Sequence, residues 1–342
     1  MNTALYRLPY ADTYTQIRSE DDALRLCSYD DLDGREGFVI APFCITGQTP
    51  LLLLAGTPRT MPLPACTDNP DLHATTDGTD GVGAEYARDF GVFHHAVATN
   101  RFDKLVLART RQTRTDGRTA EQLFFRLCHD YPRAMVMLID TEITGTWLIA
   151  SPEILIESQP PHLCTIALAG TMPYSEGLPQ WSEKNKHEQH IVERYIEDTI
   201  APMAAGIIKD GPRTVRAGNL MHLRTDFRFR PNEGIGIGSL VARLHPTPAV
   251  CGMPKEGARQ FIIDHESTDR RYYSGFAGPL NIGGETHLYV SLRCMHIADG
   301  IITTYAGGGI MPDSNMEDEW HETELKMIIK VNNIANYHHV QQ

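Results

Sequence analysis

Tyr305-Ala306-Gly307-Gly308-Gly309-Ile310-Met311-Pro312-Asp313-Ser314 leads, past Asn315 and Met316, into Glu317-Asp318-Glu319-Trp320-His321-Glu322-Thr323-Glu324-Leu325-Lys326. The second part reads as a helix, on which Glu319, Glu322 and Lys326 share a face because positions i, i+3 and i+7 stack there. A glycine loop would then open onto a helix carrying two carboxylates and one ammonium. Such a surface suits a hard divalent cation held beside an anionic ligand. Taken alone, the segment fits a solvated, charge-laced helix better; the rest of the chain shifts the balance.

With 342 residues, 42% hydrophobic and 22% charged, the chain has ordinary globular composition and length for one large domain or two. No apolar run approaches the roughly 18 to 20 residues needed to cross a bilayer, so a soluble protein without membrane attachment is expected. Met1-Asn2-Thr3-Ala4-Leu5-Tyr6 lacks the basic-then-apolar pattern of a secretion signal. The seven cysteines, 27, 44, 66, 128, 164, 251 and 294, are scattered and form no Cys-x-x-Cys pair. Reduced thiols in a cytoplasm are the simplest reading. A formal charge of −12 disfavours nucleic-acid binding, which needs a basic face. It also means that any anionic ligand must be met by locally placed Lys, Arg or metal.

Short apolar runs at 37–40, 51–55, 104–110 and 154–157 predict strands. The Pro-, Gly-, Thr- and Asp-rich stretch 56–83 reads as a long exposed loop, and 84–100 as a helix. Runs 135–139 and 146–150 suggest a hairpin turned at 141–145, and 289–297 with 301–305 another around Asp299-Gly300. Helical periodicity is strongest at 183–203, where Val192, Ile196, Ile200 and Met203 keep the spacing of a buried face. Glu188 projects from the edge of that face and needs a partner, since an unpaired buried charge is costly. A salt bridge is the ordinary answer. With no repeat and no sharp shift in composition, the chain reads as one large domain of irregularly mixed strands and helices.

Several motifs fail on spacing. His187-Glu188-Gln189-His190 lacks the i, i+4 histidines of a zinc-protease helix. Gly234-Ile235-Gly236-Ile237-Gly238 lacks the third glycine and the βαβ frame of a dinucleotide site, and reads as a loop. Neither a nucleophile elbow nor a phosphate-binding loop occurs.

What remains is an ordered series: Lys104-Leu105-Val106-Leu107-Ala108-Arg109; Ala150-Ser151-Pro152-Glu153; Leu168-Ala169-Gly170-Thr171; Glu183-Lys184-Asn185-Lys186-His187-Glu188; Met221-His222-Leu223; Leu244-His245-Pro246-Thr247-Pro248-Ala249-Val250-Cys251-Gly252; Arg271-Tyr272-Tyr273-Ser274-Gly275; Val290-Ser291-Leu292-Arg293; and the opening stretch. Together these segments resemble the chorismate-utilising enzymes, the family of isochorismate, salicylate, anthranilate and aminodeoxychorismate synthases, over roughly residues 84–335. The resemblance implies an α+β fold like that of anthranilate synthase component I: a single large chorismate-binding domain with mixed, mostly antiparallel sheets and outer helices. Residues 1–83 would be the N-terminal part of that domain and 84–342 its catalytic region.

By resemblance, Lys104 matches the general base that activates water for addition at C2 of chorismate, and Glu153 the general acid for the departing C4 hydroxyl. Glu188 and Glu322 match carboxylates that hold Mg2+, with Glu319 close by or acting through water. Arg293 and Tyr273 match residues that grip the enolpyruvyl carboxylate. Gly170, Thr171, His222, Ala249 and Lys326 match residues lining the ring, and Gly307 and Gly309 match glycines that let the backbone approach it. Departures are Asn185 where Asp is common, Gln189 where His is common, and Gly308 where Ala is common. The ammonia-using relatives generally lack the lysine, so Lys104 implies water as nucleophile and no glutaminase partner. Ala249, where salicylate synthases tend to carry Thr, implies that isochorismate is released. The expectation is an isochorismate synthase, a monomer or weak homo-oligomer, supplying menaquinone. The alternatives are a salicylate synthase, a siderophore-pathway isochorismate synthase, or a non-catalytic chorismate-binding homologue.

Overall fold

The computed structural model describes residues 2–65, 81–115, 117–177, 179–218 and 220–327. Two nine-stranded sheets lie face to face. In order across the first run Gly252–Met253, Lys104–Arg114, Ile301–Ile310, Cys294–Ala298, Gly145–Ser151, Met135–Thr141, Asn2–Arg7, Thr13–Ser19 and Arg59–Pro62. The second runs Ala204–Ala217, Leu220–Pro231, His162–Pro173, Ile154–Gln159, His287–Val290, Phe276–Leu280, Gly37–Ala41, Leu51–Leu54 and Leu24–Leu26. The pairings at the heart of both sheets are antiparallel, and strands from the first 62 residues enter both.

Alternation along the strands builds the layers. Tyr6, Trp147, Ile149 and Tyr305 of the first sheet meet Phe38, Ile40, Ile166 and Tyr289 of the second in one buried cluster. On the outer faces lie the helices. Those at Ala84–Ala98 and Lys255–His265 set Phe93 and Phe261 against Leu105 and Leu107. Helix Ala120–Asp130 covers Leu138 and Leu148 with Phe124. On the other sheet, helices Glu183–Ile200 and Ile237–Leu244 bury Val192, Ile196 and Leu240 against Ala167 and Phe227.

Four expectations change. Gly307–Gly309 is not a loop but the end of strand Ile301–Ile310, paired with residues 106–108. The expected exposed loop contains an edge strand, Arg59–Pro62, paired with Thr13–Gln16; its alternation is too short and too exposed to read, and residues 66–80 lie outside the described set. The expected strand 289–297 is split, because His287–Val290 belongs to one sheet and Cys294–Ala298 to the other. Between them the chain turns at Arg293, where φ is +46°. Gly236 is the N-cap of a helix starting at Ile237, so only the first part of the glycine repeat is loop.

Candidate active site

Because Leu105 and Leu107 face the outer helices, Lys104 and Val106 face the second sheet. Lys104 is completely buried, its Nζ 2.8 Å from Glu188 Oε1. Among the described residues that contact is the ammonium's partner, and no further hydrogen bond satisfies it. Glu188 comes from helix Glu183–Ile200, and its side chain is 13% exposed. Burial would raise its pKa, but the Lys104 ammonium, with Lys326 and Lys184 further off, holds it below the ordinary value.

Gly307 and Gly309 pair with Ala108 and Val106 and so face the same way as Lys104. A Cβ on Gly309 would strike the Glu188 carboxylate and lie 2.8 Å from Lys104 Cε, and one on Gly307 would lie 2.8 Å from the Tyr273 hydroxyl. Absence of a side chain keeps this space open. Within strand Ile301–Ile310, strand Cys294–Ala298 pairs only with residues 301–304, so among the described residues no strand covers Gly307–Ile310 on that side. Helix Met316–Met327 lies against it, and Lys326 Nζ donates to Gly307 O at 2.9 Å. The helix is pinned by Arg109, which donates to Thr323 Oγ1 at 2.6 Å and stacks over Trp320 at 3.6 Å. Lys326 also pairs with Glu322 at 2.7 Å. Glu319, only 1% exposed, accepts from Ser314 Oγ at 2.6 Å and pairs with Lys184. Burial, reinforced by Glu322, raises the Glu319 pKa despite Lys184.

Glu153 follows strand Gly145–Ser151 and is 2% exposed. Burial pushes its carboxyl up to about 8, although Lys104, Thr247 and Lys326 oppose the shift. It is therefore protonated at neutral pH. At Gly170, where φ is +67°, the register of strand His162–Pro173 slips. The bulge turns the Gly170 carbonyl to His222 Nδ1 at 3.1 Å, and Arg293 Nη2 lies 3.2 Å from His222 Nε2. These partners select the Nδ1–H tautomer. Burial, with Arg293 and Lys326, drives the His222 pKa to about 3, so the ring is neutral. Arg293 otherwise donates to Ala217 O at 2.9 Å. Burial lowers its pKa too.

One cavity brings together Glu153, Gly170, Thr171, Glu188, His222, Ala249, Tyr273, Arg293, Gly307, Gly309 and Lys326. Lys104 sits behind it against Glu188 and Gly309, and Glu319 and Glu322 cluster at Gly308. Three glutamates thus face three lysines, 104, 184 and 326. Lys184 is the member that sequence reasoning left without a role; it lies one helical turn before Glu188, an i, i+4 neighbour. Thr247, 3.5 Å from Glu153 Oε1, is another. The departures have structural partners. Gln189 binds Ala169 N at 2.8 Å and Ala167 O at 3.2 Å, bracing the bulged strand, while Asn185 Nδ2 reaches Thr171 O at 3.4 Å.

Among the described residues no three His, Cys, Asp or Glu side chains form a ready-made metal cage. The donor set still fits magnesium, which is usually bound through one or two carboxylates while water and ligand oxygens complete its shell. Glu188 and Glu322 are suited to that part, since each has a lysine partner that already marks a cation position.

Residues 78–331 match the family model described as chorismate binding enzyme. The chain is 29% identical to the isochorismate synthase EntC of Escherichia coli over 246 residues, 69% of this chain and 63% of that protein. It is 26% identical to the vibriobactin-specific isochorismate synthase of Vibrio cholerae over 355 residues, 94% of this chain and 84% of the relative. Several matches are thus partial: the chain spans less than two thirds of EntC, and 51% of the salicylate biosynthesis isochorismate synthase of Pseudomonas aeruginosa, to which it is 31% identical over 242 residues, 68% of this chain. Its fold is similar to that of the menaquinone-specific isochorismate synthase MenF of Escherichia coli, with a TM-score of 0.78 and 22% identity over 95% of this chain and 87% of that one. It is also similar to anthranilate synthase component I of Streptococcus pneumoniae, with a TM-score of 0.68 and 16% identity over 91% and 82% of the two chains. The chain belongs to the chorismate-binding enzyme family.

Proposed function

We propose that the chain is an isochorismate synthase, converting chorismate to isochorismate with water as nucleophile. The carrying observation is that one site sets a fully buried lysine, partnered by Glu188, near a buried carboxyl, Glu153, whose pKa burial raises. Water adds to C2 as Lys104 takes the water proton. The ring double bonds shift, and the C4–oxygen bond breaks as Glu153 gives its proton to the leaving hydroxyl, which departs as water. Hydroxide is a poor leaving group, so acid and base each contribute about 10² to 10⁴-fold. The added proton must return from Lys104 to Glu153 before the next turnover. Arg293, Tyr273 and neutral His222 orient the anionic ligand, while the glycines admit it. Magnesium held by Glu188 and Glu322 would neutralise the ring carboxylate against the surrounding glutamates.

The relatives include menaquinone-specific, vibriobactin-specific and salicylate-biosynthesis isochorismate synthases, so the proposal concerns the chemical step. Ala249 lines the cavity, where a Thr would add a methyl and a hydroxyl and alter how the product settles. Chromatography of the products formed from chorismate and magnesium tests the reading. Isochorismate without substantial salicylate, and no anthranilate from ammonium salts, is expected. Salicylate with pyruvate as the main products would transfer the assignment to a salicylate synthase, and absence of any turnover would overturn it.

A further inference from the structure

Beside the catalytic cavity lies a second, larger one of about 890 Å³, and Pro152, Leu168 and Arg293 line both. Its charges are unbalanced. Arg224 is neutralised by Asp226 at 2.6 Å, Asp130 by Arg126 at 2.9 Å, and Glu157 is engaged by Tyr289 at 2.7 Å and His287 at 3.1 Å. Arg133 and Arg216 line the same cavity, are exposed, and have no carboxylate partner among the described residues. Arg216 is held over the Tyr174 ring at 3.8 Å and donates to Gly218 O at 2.8 Å, so its guanidinium is set in place without being neutralised. Arg293, at the boundary, hydrogen-bonds the Ala217 carbonyl and a neutral His222 and has no carboxylate partner among the described residues. Three guanidiniums without a carboxylate partner among the described residues therefore line this cavity, on a chain whose formal charge is −12.

We propose that this cavity is the entrance through which a dicarboxylate ligand reaches the catalytic cavity, with Arg133 and Arg216 capturing it and Arg293 receiving it. The inference rests on the chorismate reading of the inner site. A cleft lined by one sign of charge between low-dielectric walls focuses the field and raises association rates, an effect that salt removes. Nothing in this role touches the reacting atoms, so capture and chemistry separate in kinetics.

The test measures chorismate association by stopped-flow tryptophan fluorescence, using Trp181, whose Nε1 donates to the cavity-lining Thr214 at 2.9 Å. Steady-state turnover is followed alongside, from low to high salt, for the unaltered protein and for Arg133→Glu, Arg216→Glu and the double variant. Expected is an association rate constant and kcat/KM about tenfold lower in the double variant at low salt, converging with the parent at high salt, with kcat unchanged. Equal association rates and equal salt slopes would overturn the entrance, as would a fall in kcat that persists at high salt. A parent that binds chorismate with the expected salt dependence but does not convert it would sink the catalytic reading and leave the entrance standing. A parent that does not bind chorismate would overturn both.

Discussion

Two buried ion pairs flank the catalytic cavity, and they are completed to different degrees. Arg270 and Glu266 are 3% and 1% exposed. Arg270 donates to both Glu266 oxygens, at 2.6 and 2.7 Å, and to the carbonyls of Val250 and Val106, each at 2.7 Å. Glu266 Oε1 in turn accepts from Ala108 N at 2.7 Å. This pair ties strand Lys104–Arg114 to the loop carrying Ala249 and Val250. Lys104 and Glu188 are nearly as close, at 2.8 Å, yet among the described residues the lysine has no hydrogen bond beyond that contact and the glutamate faces a cavity. A buried charge whose hydrogen bonds are all made is fixed and serves the scaffold; one left incomplete can serve a ligand.

Substitutions at the incomplete site should produce the largest effects. Lys104→Ala and Glu153→Gln are expected to lower kcat by about 10² to 10⁴-fold each, with chorismate binding and the circular dichroism spectrum largely retained. Near-normal kcat in either purified variant would reject its role. At the completed pair the loss should appear in stability. Arg270→Met strands Glu266 and two carbonyls, and denaturant unfolding should show a loss of about 3 to 5 kcal/mol; an unchanged midpoint would mean that the two pairs do not differ as described.

A smaller effect should appear in the pH profile. Glu153, raised to about 8 by burial, acts only while protonated, so its contribution to kcat should be lost as pH rises through that value. The limb should be absent from the residual activity of Glu153→Gln; its persistence there would assign it to another group. The mildest contrast is between neighbouring glycines. Gly309→Ala meets the Glu188 carboxylate and Lys104 Cε, the latter at 2.8 Å, and should cost at least tenfold in kcat/KM, whereas Gly308→Ala meets nothing nearer than Glu319 at 3.1 Å and should cost less than threefold. Equal losses would show that the crowding is not specific to the Lys104 side.

Much of this contrast was legible in the chain. Strand and helix periodicity placed Lys104 at the start of a strand and Glu188 and Glu322 on helices, and these are local properties. The antiparallel fold and outer helices followed from the family resemblance, and the structural likenesses agree. Glycine was misread at 307–309 because a glycine run usually marks a turn, whereas here the missing side chains make room for two charged groups from distant segments. Lys184 and the Arg270–Glu266 clamp stayed hidden for the same reason: their partners lie at Glu319, Val106 and Val250, and local pattern carries no record of such contacts. The split after Val290 was equally invisible, since both strands are apolar and only their membership in different sheets separates them.

In the proposed reaction the Lys104–Glu188 site activates water. Conversion of chorismate in water enriched in oxygen-18, stopped early and read by mass spectrometry, tests it most directly. One labelled oxygen is expected in isochorismate, at the C2 hydroxyl, with label incorporation slowed together with turnover in Lys104→Ala. Isochorismate retaining only the oxygens of chorismate would contradict it, because the hydroxyl would then have migrated without water and Lys104 would have no nucleophile to activate.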